Sequence, residues 1–158
     1  MISWLTDTII GKMTMTFLIS MLPVVELRGA IPAAAVAGID WHVAYLLCVI
    51  GNMLPVPFIL LFIRRLLKWM NTKPRLKKFA GWIEDHAMKR SSRIGRFEVL
   101  GLILFVAIPI PGTGAWTGAI IAALLDIRMR TALPALLIGV LVAGVLVSGI
   151  AYGFAALI

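Results

Sequence analysis

An all-α integral membrane protein is the fold class this sequence predicts: an inverted repeat of a re-entrant helical hairpin plus one full transmembrane helix, with a basic cytoplasmic linker between the halves. Three observations lead there. Hydrophobic residues make up 61% of the 158 and charged residues 14%, at a mean hydropathy of +1.03, against roughly 45–50% and about 25% in a globular domain. The net charge of +8 lies in one segment, where residues 64–98 hold eleven Lys/Arg and three acids while the rest of the chain holds four of each. The apolar runs, finally, come in two lengths, and only one of them reaches across a bilayer.

Taken in order along a single membrane domain, 1–158, the first repeat occupies 1–63. Met13–Val25 is an apolar arm that stops at Glu26-Leu27-Arg28-Gly29, and Ala30–Ile39 is a second that stops at Asp40. Arms of 10–14 residues are too short to span and read as a re-entrant hairpin over 13–39. Val43–Ile63 carries no charge over 21 residues, about 31 Å as a helix, and is a transmembrane helix. After the basic loop 64–98 the plan repeats. Val99–Ile110, the break Pro111-Gly112-Thr113-Gly114 and Ala115–Leu125 make a hairpin over 99–125, and the uncharged run 133–158 makes the second transmembrane helix. The two breaks also share Arg28-Gly29-Ala30-Ile31 and Thr117-Gly118-Ala119-Ile120.

Charge orients the chain. With 64–98 cytoplasmic, a returning second hairpin leaves Arg128 and Arg130 inside, where the positive-inside rule places them. The protein is then multi-pass in the cell inner (plasma) membrane. Trp4, Trp41 and Tyr152 fall near the outer surface and Trp69 and Trp82 near the inner one, as interfacial aromatic belts. Phe79, Trp82, Ile83 and His86 recur at helical spacing, which predicts an amphipathic helix on the inner leaflet. The opening Met1–Lys12 lacks a basic n-region, so no cleavable signal peptide is expected. Nucleic acid is not expected as a partner, because the basic segment lacks the aromatic pattern that such binding needs. Cys48 is the single cysteine, which rules out a disulfide within one chain. His42 and His86 lie at opposite surfaces, so no metal is expected, nor any other cofactor.

Glu26 and Arg28 are the sharpest feature. They interrupt an apolar half between Pro23 and Pro32, with Gly29 beside them. A charge at the bilayer centre costs at least about 2.5–3.5 kcal/mol, so ionisable residues there are functional candidates. Glu26 offers a protonation cycle, and Arg28 a planar fork suited to phosphate or carboxylate. On a regular helix the two point roughly opposite ways, whereas extended backbone at a hairpin tip lets them share a face. The second tip, Pro109–Gly114, places half-helix N–H groups at the midplane, as does the half-helix after Gly29. Gly29, Pro32, Pro111, Gly112, Thr113, Gly114, Trp116, Thr117 and Asn52 are expected to line the site, Asn52 either by a hydrogen bond to a tip or as a structural polar contact. Gly139, Ala143, Gly149 and Gly153 form two small-xxx-small pairs that allow close helix packing, and a homodimer is expected.

Glu26-Leu27-Arg28-Gly29-Ala30-Ile31-Pro32 and Pro109-Ile110-Pro111-Gly112-Thr113-Gly114-Ala115-Trp116 together resemble the Putative small multi-drug export protein family. The likeness runs over essentially the whole chain, and the family name implies drug export. In architecture and in Glu26 and Arg28 the chain is also distantly similar to the DedA (VTT-domain) membrane proteins, which are associated with flipping of undecaprenyl phosphate or phospholipids. The segment 109–118 carries no charge, where DedA-type proteins are expected to carry an arginine. Residues and resemblance lead to one expectation: a proton-coupled transporter moving an amphipathic or anionic small molecule, or a lipid phosphate, between the two tips. Membrane lipids, protons and that substrate are its expected partners. The alternatives are a small multidrug exporter of cationic compounds using Glu26, and a non-transporting membrane assembly factor. An enzyme is not expected, since no His-plus-carboxylate or Ser/His/Asp arrangement falls at membrane depth.

Overall fold

The computed structural model describes residues 8–91, 98–110 and 112–155, and these are all helix and connecting loop with no strand among them. The helices are α1 Ile9–Ser20, α2 Glu26–Val36, α3 Trp41–Met53, α4 Val56–Asn71, α5 Pro74–Ser91, α6 Glu98–Ala107, α7 Ala115–Leu124 and α8 Met129–Ala155. Thr8 caps α1 by accepting from the Gly11 N–H at 3.1 Å. The hydroxyls of Thr14, Thr16 and Ser20 all donate to carbonyls of the preceding turn. That internal pairing satisfies polar atoms that an apolar surrounding would otherwise penalise. Lys12 reaches forward to the Ala37 carbonyl at 3.0 Å, placing a cation at the C-terminus of α2.

The short helices α2 and α7 are built alike. Arg28-Gly29-Ala30-Ile31 and Thr117-Gly118-Ala119-Ile120 occupy the third to sixth positions of their helices. Each helix ends on a residue of positive φ, Gly38 at 76° and Asp126 at 62°, followed by a buried or half-buried isoleucine. In both, that isoleucine's N–H returns to the last helical turn, Ile39 to Ala34 and Ile127 to Ala122. This is the Schellman closure, which needs a left-handed residue at that point. Asp126 tolerates the conformation better than most non-glycine residues.

Two segments are long and apolar enough to cross a membrane, Trp41–Ile63 and Met129–Gly153. The first differs from the single uninterrupted helix expected over 43–63. Pro55 has no N–H to continue the ladder, and the chain kinks at Leu54–Pro55 between α3 and α4. Leu54 and Pro55 keep right-handed helical backbone angles, so the direction bends without the path reversing. α4 then runs on through Arg65 and Lys68 to Asn71, beyond the expected boundary at Ile63. The last helix begins at Met129, four residues earlier than expected, and carries Pro134 inside it. Residues 156–158 of that expected helix lie outside the described residues, as does Trp4.

The core is lined by small and branched side chains: Leu27, Ala30 and Ile31 of α2 meet Leu102 and Val106 of α6, Ala119 and Ala122 of α7, and Leu136 and Val140 of α8. Such surfaces let helix backbones approach closely. Gly139 serves that packing, since a Cβ there would meet Val106 at 2.7 Å, whereas Gly149 and Gly153 face open space. Large apolar side chains cover the outside, among them Leu46, Ile50, Phe58, Leu61, Phe62, Val145 and Ile150. Tyr152 donates to the Ile39 carbonyl at 2.7 Å and Tyr45 to the Leu141 carbonyl at 3.2 Å, fastening α8 to the start of α3 and the loop before it. Asn52 is buried at 1% exposure and its amide finds no hydrogen-bond partner among the described residues. The expected bond from Asn52 to a tip is not formed. Replacing it by leucine is expected to raise stability by about 1–2 kcal/mol, because two unsatisfied polar atoms leave the core. Thermal unfolding in detergent checks this, and a lower midpoint would refute it.

Candidate functional site

Residues 21–25 form the turn between α1 and α2, and α2 opens on Glu26, which has φ 49°. A left-handed glutamate is uncommon, and such residues cluster where the surrounding structure imposes them. The conformation brings Glu26 and Arg28 onto one side, with Arg28 Nη1 3.9 Å from Glu26 Oε2. Extended backbone was the expected device; a left-handed first residue on a helix is the one used. The helix also starts earlier than the expected half-helix after Gly29, so Gly29 sits inside α2 and its N–H is spent on the Val25 carbonyl.

The second tip, 108–114, joins α6 to α7. Gly112 has φ 82°, open to glycine at no steric cost. Gly114 precedes α7 in extended conformation and supplies no side-chain cap. Glu26 supplies it from the other half of the chain: its Oε1 accepts from the Trp116 N–H at 3.1 Å. That is the bond an N-cap residue ordinarily makes to the second helical N–H, and the carboxylate also meets the positive end of the α7 dipole. A Cβ on Gly114 would collide with all three carboxylate heavy atoms. Glycine is therefore required at 114 by space, not by backbone angle.

Arg28 does the converse at the neighbouring helix end. Its Nη2 shares two N–H groups among four acceptors within reach: the carbonyls of Val106 and Ile108, both at 3.1 Å, the Thr113 carbonyl at 2.9 Å and Thr113 Oγ1 at 3.1 Å. Val106 presents a last-turn carbonyl of α6 and Ile108 lies just beyond the helix, at the C-terminal end where a cation is favoured. The Thr113 hydroxyl in turn lies 2.8 Å from the Ile108 carbonyl. One ion pair, its carboxylate buried and its guanidinium half-buried, thus neutralises two opposite helix ends and ties residues 26–28 to residues 106–116. Two nitrogens of the guanidinium, with three N–H groups between them, remain over. Among the described residues Nε is buried without a partner, and Nη1 has only the 3.9 Å contact to Glu26.

Beside the pair lies a cavity of about 570 Å³, bordered by Pro23, Val24, Val25, Glu26, Arg28, Gly29, Pro109, Gly112, Gly114, Thr117 and Trp82. This is within the usual range for small-molecule sites. Of the expected site residues, Glu26, Arg28, Gly29, Gly112, Gly114 and Thr117 come together here, and Thr113 is buried beside them holding Arg28. Trp116 contributes its backbone N–H, but its ring lines a separate apolar groove of about 380 Å³ with Met21, Pro55 and Phe58. Its indole N–H donates to the Met21 carbonyl at 3.2 Å. Pro32 is exposed further along α2 and Asn52 is buried in α3, and neither borders the cavity. Pro111 lies outside the described residues. Sequence reasoning missed Trp82: its place in an amphipathic pattern was legible, but not that α5 would carry it to this cavity.

A family model described as Putative small multi-drug export protein matches residues 26–146. The chain belongs to that family. The match begins at Glu26 and takes in both tips and most of α8. No curated protein and no solved structure matches the chain. Within the matched range, residues 26–28 and 106–116 are the segments that the ion pair joins.

Proposed function

We propose that this protein is a proton-coupled membrane transporter in which Glu26 is a releasable latch between two re-entrant hairpins of an inverted repeat. The observation that carries the reading is the Glu26–Arg28 pair spanning both tips on the wall of a cavity. The repeat is supported by the common register and closure of α2 and α7. It is supported also by their reciprocal packing, α2 on α8 and α7 on α4. Residues 64–98 and Arg128 with Arg130 then lie on the cytoplasmic side, by the bias of basic residues.

Ionised Glu26 leaves the site neutral and the tips joined. Protonation removes the charge that holds the carboxylate to the α7 N-terminus and to Arg28, and leaves the site at +1. The uncommitted donors of Arg28 then suit the anionic group of an amphipathic molecule or a lipid phosphate, so proton and anion bind together. A cationic drug would instead need ionised Glu26, with the Arg28 charge 3.9 Å away opposing it. A second copy of the chain on the open Gly149 and Gly153 edge belongs to the same reading.

The test is Glu26→Gln in reconstituted vesicles under an imposed pH gradient, with carboxyfluorescein as the anionic probe and rhodamine 6G as the cationic one. Wild-type protein is expected to move carboxyfluorescein in a gradient-dependent way. The variant, folded to the same melting midpoint within a few degrees, is expected to lose that dependence. Unchanged gradient-driven flux in Glu26→Gln sinks the latch, and flux of rhodamine 6G alone replaces the anion with the cation.

A further inference from the structure

We propose that helix α5, from the basic linker, is a lid and charge filter for the Glu26–Arg28 cavity, with Trp82 as its closing side chain and Lys78 as its selecting charge. The inference takes that cavity to be the substrate site, as argued above. Trp82 borders the cavity although its helix lies between the two halves in sequence. α5 reaches it because Leu76, Ala80 and Ile83 pack against Leu67 and Met70 of α4 and Leu124 of α7. Phe79 stacks on Trp82, with ring centroids 6.0 Å apart and planes 17° from parallel. An aromatic wall on a cavity that also holds a carboxylate and a guanidinium gives an amphipathic guest its apolar contact.

Among the described residues, α5 meets this cluster through Leu76, Ala80 and Ile83, and a small apolar attachment is what a lid needs. Ala80 is its buried contact in the cluster, with Leu76 and Ile83 half-buried. A hydrogen bond from Asn71 to Glu84 at 3.3 Å is exposed. Regions with few buried apolar contacts open at low free energy. The rest of the helix is strongly basic: Arg75, Lys77 and Lys78 are exposed. Lys78 is four residues before Trp82 and so shares its face, and Asp85 stands three residues beyond on that same face. A guest passing Trp82 meets the Lys78 charge first on one side and Asp85 on the other.

Thiol labelling tests the lid without any knowledge of the transported molecule. Thr117→Cys, in a Cys48→Ser chain, puts a near-isosteric thiol on the cavity wall, and its modification rate is read in reconstituted full-length protein. The reagents are neutral, anionic and cationic methanethiosulfonates. Trp82→Ala is expected to raise the neutral rate about tenfold or more, as a local opening becomes frequent. Trp82→Leu, which keeps the apolar face, should move it the same way, and Trp82→Phe should leave it near wild type. Lys78→Gln is expected to lower the anionic-to-cationic rate ratio about threefold at low salt, with the neutral rate unchanged, and Asp85→Asn to raise that ratio. Neutral rates that do not respond to Trp82→Ala or Trp82→Leu overturn the lid, and a ratio indifferent to Lys78→Gln overturns the filter. Carboxyfluorescein should protect the thiol. Missing protection beside an intact Trp82 effect counts against the substrate reading of the cavity and leaves the lid standing.

Discussion

Gly114→Ala will unlatch the two tips. Backbone angles do not forbid alanine there, because φ is −84° and ψ −174°, ordinary extended geometry. The whole effect comes from one methyl group placed where the Glu26 carboxylate sits. The carboxylate must leave the Trp116 N–H, so α7 loses its cap and a buried charge loses its best partner. Cap loss costs about 1 kcal/mol and an unsatisfied buried group a further 1–3 kcal/mol, giving a destabilisation of about 2–4 kcal/mol. Denaturant unfolding in detergent measures it, and flux through the cavity should fall with it. A double-mutant cycle makes the cause specific. In a Glu26→Ala background the space is empty, so Gly114→Ala should cost almost nothing more. Additive costs would mean that the methyl group acts on something other than the carboxylate.

Arg28→Ala is expected to be at least as damaging, by about 3–5 kcal/mol, the usual cost of removing one partner from a buried pair. The reason lies in how many acceptors one nitrogen serves. Nη2 shares its two N–H groups among the Val106, Ile108 and Thr113 carbonyls at 2.9–3.1 Å, and the side chain is 17% exposed, so little water can replace it. Without it the Val106 carbonyl at the end of α6 loses its side-chain partner, and the Glu26 carboxylate has no countercharge. Arg28→Lys restores the charge without the planar fork, so it should recover only part of the loss. Unfolding free energies within about 1 kcal/mol of wild type for Arg28→Ala would show that the tips are held by packing alone. Both substitutions change the pair from one side only, so their agreement matters: each should release the same contact between residues 26–28 and 106–116.

Much of this was readable in the residues. The run of apolar residues 43–63 and the one from 133 needed only length and the absence of charge, and both span candidates appeared where expected. The register shared by Arg28-Gly29-Ala30-Ile31 and Thr117-Gly118-Ala119-Ile120 was visible as a pattern and holds position by position in α2 and α7. Glu26 and Arg28 stood out because charges in an apolar half are costly wherever the chain goes. Three things were not readable. The kink at Leu54–Pro55 depends on how neighbours accommodate a missing N–H. The left-handed Glu26, whose carboxylate meets a backbone N–H ninety residues later, follows from no local pattern. Trp82 reaches the cavity through contacts with Leu67, Met70 and Leu124, which its own helical pattern does not name.

Composition, span lengths and the position of charge are properties of the chain as a string; the two long apolar spans and the two breaks between the shorter apolar arms followed from that. What Glu26 and Arg28 pair with is different. Each has its hydrogen-bond partners on residues 78 to 90 positions away, the carboxylate on the N-terminus of one helix and the guanidinium on the C-terminus of another. No local pattern encodes such a partner, because an orphan N–H or carbonyl at a helix end is identical in every sequence. Only the packing of α2 against the second half decides which helix ends the two charges meet.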